Sequence, residues 1–320
     1  MTTFNRNYPF DLSRSMCVLW IVGVWHMRQY LPLELRPSVT DIPVYKSITM
    51  GVLACFTFLS GYFLKKYEFR YFKDALVFYK KRFLRFYPLF VVATFCLIIC
   101  GSSVRQAFLA TVGLSMICNS PPPIQTLWYF SMLLLFYLVT PLLKIRRDNW
   151  QMGIVTIILV ISFLVASYFF FDKRLFVYFP FYVLGLNISN HAVDRVLNPF
   201  TLVVSIVLFL LLCLCETTIC FIQIVQSLWC VAAILSFCKI VYFEKMKLPV
   251  AFVAEASMCA YLFHRPLYAI IVETLRKTTQ YQFMPIPIAL ISIFVLFILA
   301  YFIQSYYNRL IHQVSFKYGR

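Results

Sequence analysis

Residues Asp11 to Gln29 read DLSRSMCVLWIVGVWHMRQ, an apolar run with Arg14 at its start and His26 deep inside it. Extended to Leu31, the run approaches the length of about 20 apolar residues that a helix needs to cross a bilayer. An ionisable ring in such a run is costly, because Leu or Val would occupy the same position without a polar group to satisfy. His26 therefore marks either a functional centre or a structural bond to a neighbouring helix.

The rest of the chain has the same character. Of 320 residues, 62% are hydrophobic and only 13% charged, against the roughly 25% charge of a soluble domain. Apolar runs of membrane length recur from end to end, at about 15–31, 46–64, 86–101, 127–143, 152–171, 175–189, 200–220, 222–241, 250–273 and 285–306. The expected fold is all-α: a polytopic membrane bundle of about ten transmembrane helices, forming one domain over residues 1–320. Arg6 and Arg14 precede the first run with no small-residue cleavage site after it, the pattern of a retained signal anchor. The eleven cysteines lie almost all inside apolar runs without zinc-type spacing and read as small core residues, so no metal site is expected.

A net charge of +17 could suggest nucleic acid, but in a chain this apolar the positive-inside rule accounts for it. Lys65, Lys66, Arg70, Lys73, Lys80, Lys81, Arg82 and Arg85 cluster after the second run and assign that connection to the cytoplasm. Alternate connections agree: Lys144, Arg146 and Arg147, then Arg195, then Lys239, Lys245 and Lys247, then Arg309, Lys317 and Arg320. Both termini are expected on the cytoplasmic side. The opposite face receives the 32–45, 119–124 and 274–284 connections and the Asp172 turn, with Glu216 and Glu273 also facing outward. Segment 104–118 is short for a span and reads as an interfacial or re-entrant helix.

Two further polar sets stand out. In AEASMCAYLFHRPL, Ser257, Tyr261 and His264 fall at i, i+4 and i+7 and share one helix face, while Pro266 removes a backbone donor and favours a kink. The stripe suits either a reaction centre or a network joining helices. In KKRFLRFYP, Arg82 and Arg85 are three apart and share a face, and paired guanidinium groups suit phosphate oxygens. Snorkelling lysines account for Lys65, Lys66, Lys80 and Lys81.

Together these segments resemble a known family. DLSR followed by His26, FTFLSGYFL at 56–64, KKRFLRFYPLF at 80–90, WYFSMLLLFYLVTPLL at 128–143, YFPFYVLGL at 178–186 and ASMCAYLFHRPL at 256–267 occur in the order found in membrane acyltransferase family 3. The resemblance implies an integral-membrane enzyme moving an acetyl or other short acyl group from acyl-CoA to sugars of surface polysaccharides. By position, His26 is similar to the family's catalytic His, Arg14 to the Arg preceding it, Arg82 and Arg85 to its R-x-x-R pair, and His264 to the His near the end of its penultimate helix. One departure matters. Many members have ten residues between that Arg and His, whereas eleven intervene here, leaving Arg14 and His26 roughly 120° apart on a regular helix. Either Arg14 lies in a non-helical start capped by Asp11, or a one-residue π-bulge near Gly23 restores the facing.

The resemblance implies catalytic roles for His26 and Arg14, with His26 as general base or transient acyl carrier, and acyl-CoA phosphate binding by Arg82 and Arg85. Ser257, Tyr261, His264 and the backbone at Ser60 and Gly61 are candidates for binding substrate and the oxyanion. Trp128 could stack on a sugar or anchor at the interface. Acetyl-CoA is the expected donor, a carbohydrate the acceptor, the lipid bilayer the setting, and a bacterial inner membrane the location, with no nucleic-acid partner. The competing function is a transporter or flippase of a lipid-linked saccharide, in which the same polar residues would line a pathway.

Overall fold

The computed structural model describes residues 7–32, 43–118, 122–144, 150–215, 219–279 and 282–317. Of the positions singled out above, Arg6, Arg146, Arg147, Glu216 and Arg320, with parts of the 32–45, 119–124 and 274–284 connections, lie outside them. The described residues are all-helical, with no β-strand. The chain divides into two compact units, Met1–Leu59 with Ile188–Leu310 and Ser60–Asn187 with Ile311–Arg320.

The first unit opens with α1, Tyr8–Leu19. Asn7 caps it, its side-chain oxygen accepting from the Phe10 amide at 3.3 Å, and Pro9 in the first turn loses no intrahelical bond there. A π-helical segment, Trp20–His26, and one 3₁₀ turn, Met27–Tyr30, continue it without a break. Next come α2 (Pro43–Tyr62), and later α8 (Asn190–Val196), α9 (Pro199–Leu212), α10 (Cys220–Val241), α11 (Lys247–Thr279) and α12 (Ile286–Lys317). Helix α1 packs against α10 and α11, and α10 also packs on α9. Leu12, Cys238 and Val250 form one buried cluster, and Phe209, Cys213 and Cys230 another. Cysteine suits these seams because it is small: Gly51 lies so close to Cys230 that a methyl group there would overlap the sulfur.

In the second unit lie α3 (Phe72–Ile99), α4 (Val104–Thr111), α5 (Trp128–Leu143), α6 (Trp150–Phe169) and α7 (Lys173–Asn187). Its core is aromatic. Phe136, Phe163, Phe179 and Tyr182 meet with centroids 4.4–6.2 Å apart, and Phe86, Phe90 and Phe130 form a second group. The Tyr182 hydroxyl meets Thr140 Oγ1 at 2.5 Å, so this buried polar end is satisfied. Gly61 closes the α2 end onto α7, where any Cβ would overlap the Tyr182 carbonyl oxygen.

Among the described residues, five helices are long and apolar enough to cross a membrane: Pro43–Tyr62, Phe72–Ile99, Cys220–Val241, Glu244–Thr279 and Ile286–Gln313. They become six if Asn190–Val196 and Pro199–Leu212, bent by 74°, act as one span. Helices also lie on the other expected segments, and their described residues alone do not meet that test. Helix α5, for example, has 16 residues and rises about 24 Å, short of the roughly 30 Å hydrocarbon layer. Segment 104–118 holds the eight-residue α4 followed by turns, and α4 rises only about 12 Å. Many large apolar side chains of α6, α9 and α12 are exposed, including Ile158, Val203 and Phe294, as expected of surfaces solvated by lipid.

Candidate functional site

The π-helical segment resolves the spacing of Arg14 and His26. Arg14 sits in the middle of α1 rather than in a non-helical start, and the irregularity falls at Trp20–His26, centred on Gly23. A π turn absorbs one extra residue, so the steps from Arg14 to His26 count as one fewer and the two return to within roughly 20° of one another. Gly23 helps to make this possible, because a Cβ there would stand only 3.3 Å from Ile293 Cδ1 on α12. The widened turn is held from outside by the Trp20 indole, which donates to Thr49 Oγ1 at 3.0 Å.

With that phase restored, α1 and its continuation meet the polar stripe of α11 at two points. Arg14 Nε donates to Ser257 Oγ at 2.8 Å, and His26 Nδ1 lies 2.8 Å from His264 Nε2. The imidazole planes are within 10° of parallel with centroids 4.8 Å apart. A nitrogen–nitrogen distance of 2.8 Å is shorter than stacked rings allow, so they meet edge to edge through a hydrogen bond. On its other side His264 Nδ1 lies 2.8 Å from the Tyr261 carbonyl oxygen. The pair is buried: His264 has no exposure and His26 retains 7%. Tyr261 is buried too, its ring edge-on to His264 and Phe56, and Tyr268 packs edge-on to His264 from the following turn. Pro266 is accommodated inside a continuous α11.

Around the pair stand cations and aromatic rings. The Arg28 guanidinium lies 4.2 Å from the centre of the Trp25 ring, Tyr45 packs against both Trp20 and Trp25, and Arg265 donates to the Gln29 amide oxygen at 3.1 Å. None of these was singled out from the sequence. For Arg28 and Arg265, their places beside His26 and His264 in the chain are the signal that could have found them.

The remaining candidates lie in the second unit. Arg82 is half-buried, its guanidinium 3.4 Å from the Tyr67 hydroxyl and over the Tyr67 and Phe78 rings, and its Nε is buried without a hydrogen-bond partner among the described residues. Arg85, one turn on, is exposed. One donor of Arg82 is thus held against an aromatic wall with no acceptor among the described residues. Ser60 is half-buried on α2. Trp128 begins α5, stacked with Tyr178, with the Arg174 guanidinium 4.3 Å from its centre. Arg174 is itself held by the Asp172 carboxylate through two short bonds of 2.9 and 2.5 Å. Burial pushes the Asp172 carboxyl up, but the Arg174 charge and donors outweigh it and hold the group below its ordinary value. Among the described residues no three His, Cys, Asp or Glu side chains are grouped to hold a metal ion.

A family model described as an acyltransferase domain matches residues 7–304, nearly the whole chain and both units. The chain belongs to membrane acyltransferase family 3. The protein is thus a membrane acyltransferase, and family membership speaks for group transfer over the transport reading. No curated protein and no solved structure matched the chain.

Proposed function

We propose that this acyltransferase moves an acetyl or other short acyl group from cytoplasmic acyl-CoA to a hydroxyl of a cell-surface or exported carbohydrate, with His26 at the reaction centre. The observation that carries the reading is the buried His26–His264 pair, in line with Arg14 and Ser257, in a chain of an acyltransferase family. A buried imidazole with its partner already in place is a pre-oriented proton acceptor. The His26 ring takes the proton of the acceptor hydroxyl as its oxygen attacks the thioester carbonyl carbon. Collapse of the tetrahedral intermediate breaks the carbon–sulfur bond, and the proton passes to the CoA thiolate. Should His26 carry the acyl group transiently, its ring attacks the thioester first and the sugar hydroxyl then displaces the ring.

The other residues take supporting roles. Arg82 and Arg85 bind acyl-CoA phosphates, Arg14 and Ser257 orient the substrates, and Tyr261, with the backbone at Ser60, supports the oxyanion or the acceptor. Trp128, with its Arg174 and Tyr178 neighbours, forms a platform for the sugar. We take the chain as one functional domain of about ten crossings with both termini cytoplasmic, in a bacterial inner membrane, since sugars destined for the surface are completed beyond that membrane while acyl-CoA is made within it. Turnover of radiolabelled acetyl-CoA by purified protein in lipid, with surface polysaccharide as acceptor, tests this. Wild type should transfer label, His26→Ala should bind acetyl-CoA without turnover, and Arg82→Ala should lose binding. A wild type that neither binds nor turns over acetyl-CoA sinks the proposal.

A further inference from the structure

We infer that His264 is a positioning residue that fixes the tautomer of His26, making Nε2 of His26 the unprotonated ring nitrogen. The inference rests on the acyl-transfer reading only for the use made of that nitrogen; the tautomer itself follows from hydrogen-bond bookkeeping along three groups of the first unit. The Tyr261 carbonyl oxygen can only accept, so His264 Nδ1, 2.8 Å away, carries a proton and donates it. A neutral imidazole carries one ring proton, so His264 Nε2 is then bare and accepts. The atom 2.8 Å from it is His26 Nδ1, which must therefore be the donor. Its single proton spent there, a neutral His26 has a lone pair at Nε2.

The alternatives cost more. Protonating both nitrogens of His264 would place a cation on a ring with no exposure, bonded to no carboxylate, and isolated charge in such a setting is heavily penalised. Turning the His264 ring over would put carbon atoms against the carbonyl and the His26 nitrogen, losing two bonds in a dry site. Exposure distinguishes the two residues: His264 is sealed, whereas His26 retains 7%. Helix α11 thus supplies an orienting carbonyl and relay to a base carried by the π-helical segment. Both chemical roles of His26 require the same thing, since a general base and a nucleophile each act through a bare nitrogen. Free neutral histidine prefers the opposite tautomer, with the proton on Nε2, so without His264 most His26 rings would present an N–H to the substrate.

The test is solid-state NMR of the full-length protein, labelled with ¹³C,¹⁵N-histidine, in lipid bilayers. The chain has four histidines, so His26 signals can be assigned by subtraction with His26→Gln. Wild type should show His26 protonated at Nδ1 and bare at Nε2. His264→Phe should shift His26 toward the Nε2–H form and lower kcat by about 10²- to 10⁴-fold, the range for loss of a correctly oriented base, with acetyl-CoA affinity unchanged. His264→Gln places an amide oxygen where Nε2 stood, so it should keep the His26 tautomer and recover most of that loss. A wild-type His26 protonated at Nε2 overturns the inference without any variant, as does a His264→Phe protein whose His26 tautomer is unaltered. If wild type shows the expected tautomer yet turns over no acyl-CoA, the function proposed above falls while the tautomer assignment stands.

Discussion

Deleting Val24 should leave an active enzyme, whereas inserting one residue into α1 should abolish activity. Val24 lies within the π-helical segment with its side chain exposed, so its removal takes away little packing. Without it the chain from Arg14 to His26 has the ten intervening residues that a regular helix can accommodate, and the two side chains again fall within roughly 20° of each other. An alanine inserted between Val18 and Leu19 leaves the π turn in place and adds a full step of about 100°, which moves the His26 Cα around the helix by about 3.5 Å. That displacement exceeds the 2.8 Å length of the His26–His264 bond, which cannot survive it. Misplacement of a reacting group by about 1 Å already costs as much as 10²-fold, so the insertion should lose more than about 10²-fold in kcat and the deletion less than about tenfold. Acetyl-CoA turnover by purified protein in lipid, with monodispersity in detergent as the folding check, measures both. If both variants are monodisperse and the deletion is as inactive as the insertion, the π turn does not serve to align Arg14 with His26.

Three further outcomes are expected. Gly61→Ala should destabilise by at least about 3 kcal/mol or fail to fold, because the overlap is with the Tyr182 backbone and not with a flexible side-chain end; thermal unfolding would show it beside Gly101→Asn, the milder change, where the backbone has φ +97° and nothing stands within 4 Å of an added Cβ. Ser257→Ala takes away the acceptor of Arg14 Nε and should cost about 1–3 kcal/mol of stability, with Ser257→Thr retaining most of it; an unchanged melting temperature in both would remove Ser257 as an anchor of Arg14. Asp172 has a carboxyl held below its ordinary value of 3.8, so its contribution is complete above that value and is lost as pH falls through the lowered native one. Asp172→Asn should therefore lower stability at neutral pH and flatten the acid-side loss below pH 3.8, whereas acid profiles of equal slope would show that the Arg174 contact contributes nothing.

The sequence by itself determined the helical class, the membrane character and the family. Apolar runs admit only self-satisfied backbone in lipid, and six family-like segments survive in order. It also marked His26, Arg14, Ser257, Tyr261, His264, Arg82 and Arg85, because ionisable and hydrogen-bonding groups at regular intervals in apolar helices are conspicuous. Counting residues even left the Arg14–His26 phase as a choice between two local structures, yet it could not choose. A π turn depends on what stands beside it, here Ile293 crowding Gly23 and Thr49 receiving the Trp20 indole, and those neighbours are remote in the chain. Tertiary structure alone decided that His264 partners His26 across 238 residues, and that Trp128 carries Arg174 and Tyr178 on its ring. Helical periodicity says which residues share a face; only packing says which face of another helix that face meets, and at what depth two imidazoles come within one hydrogen bond.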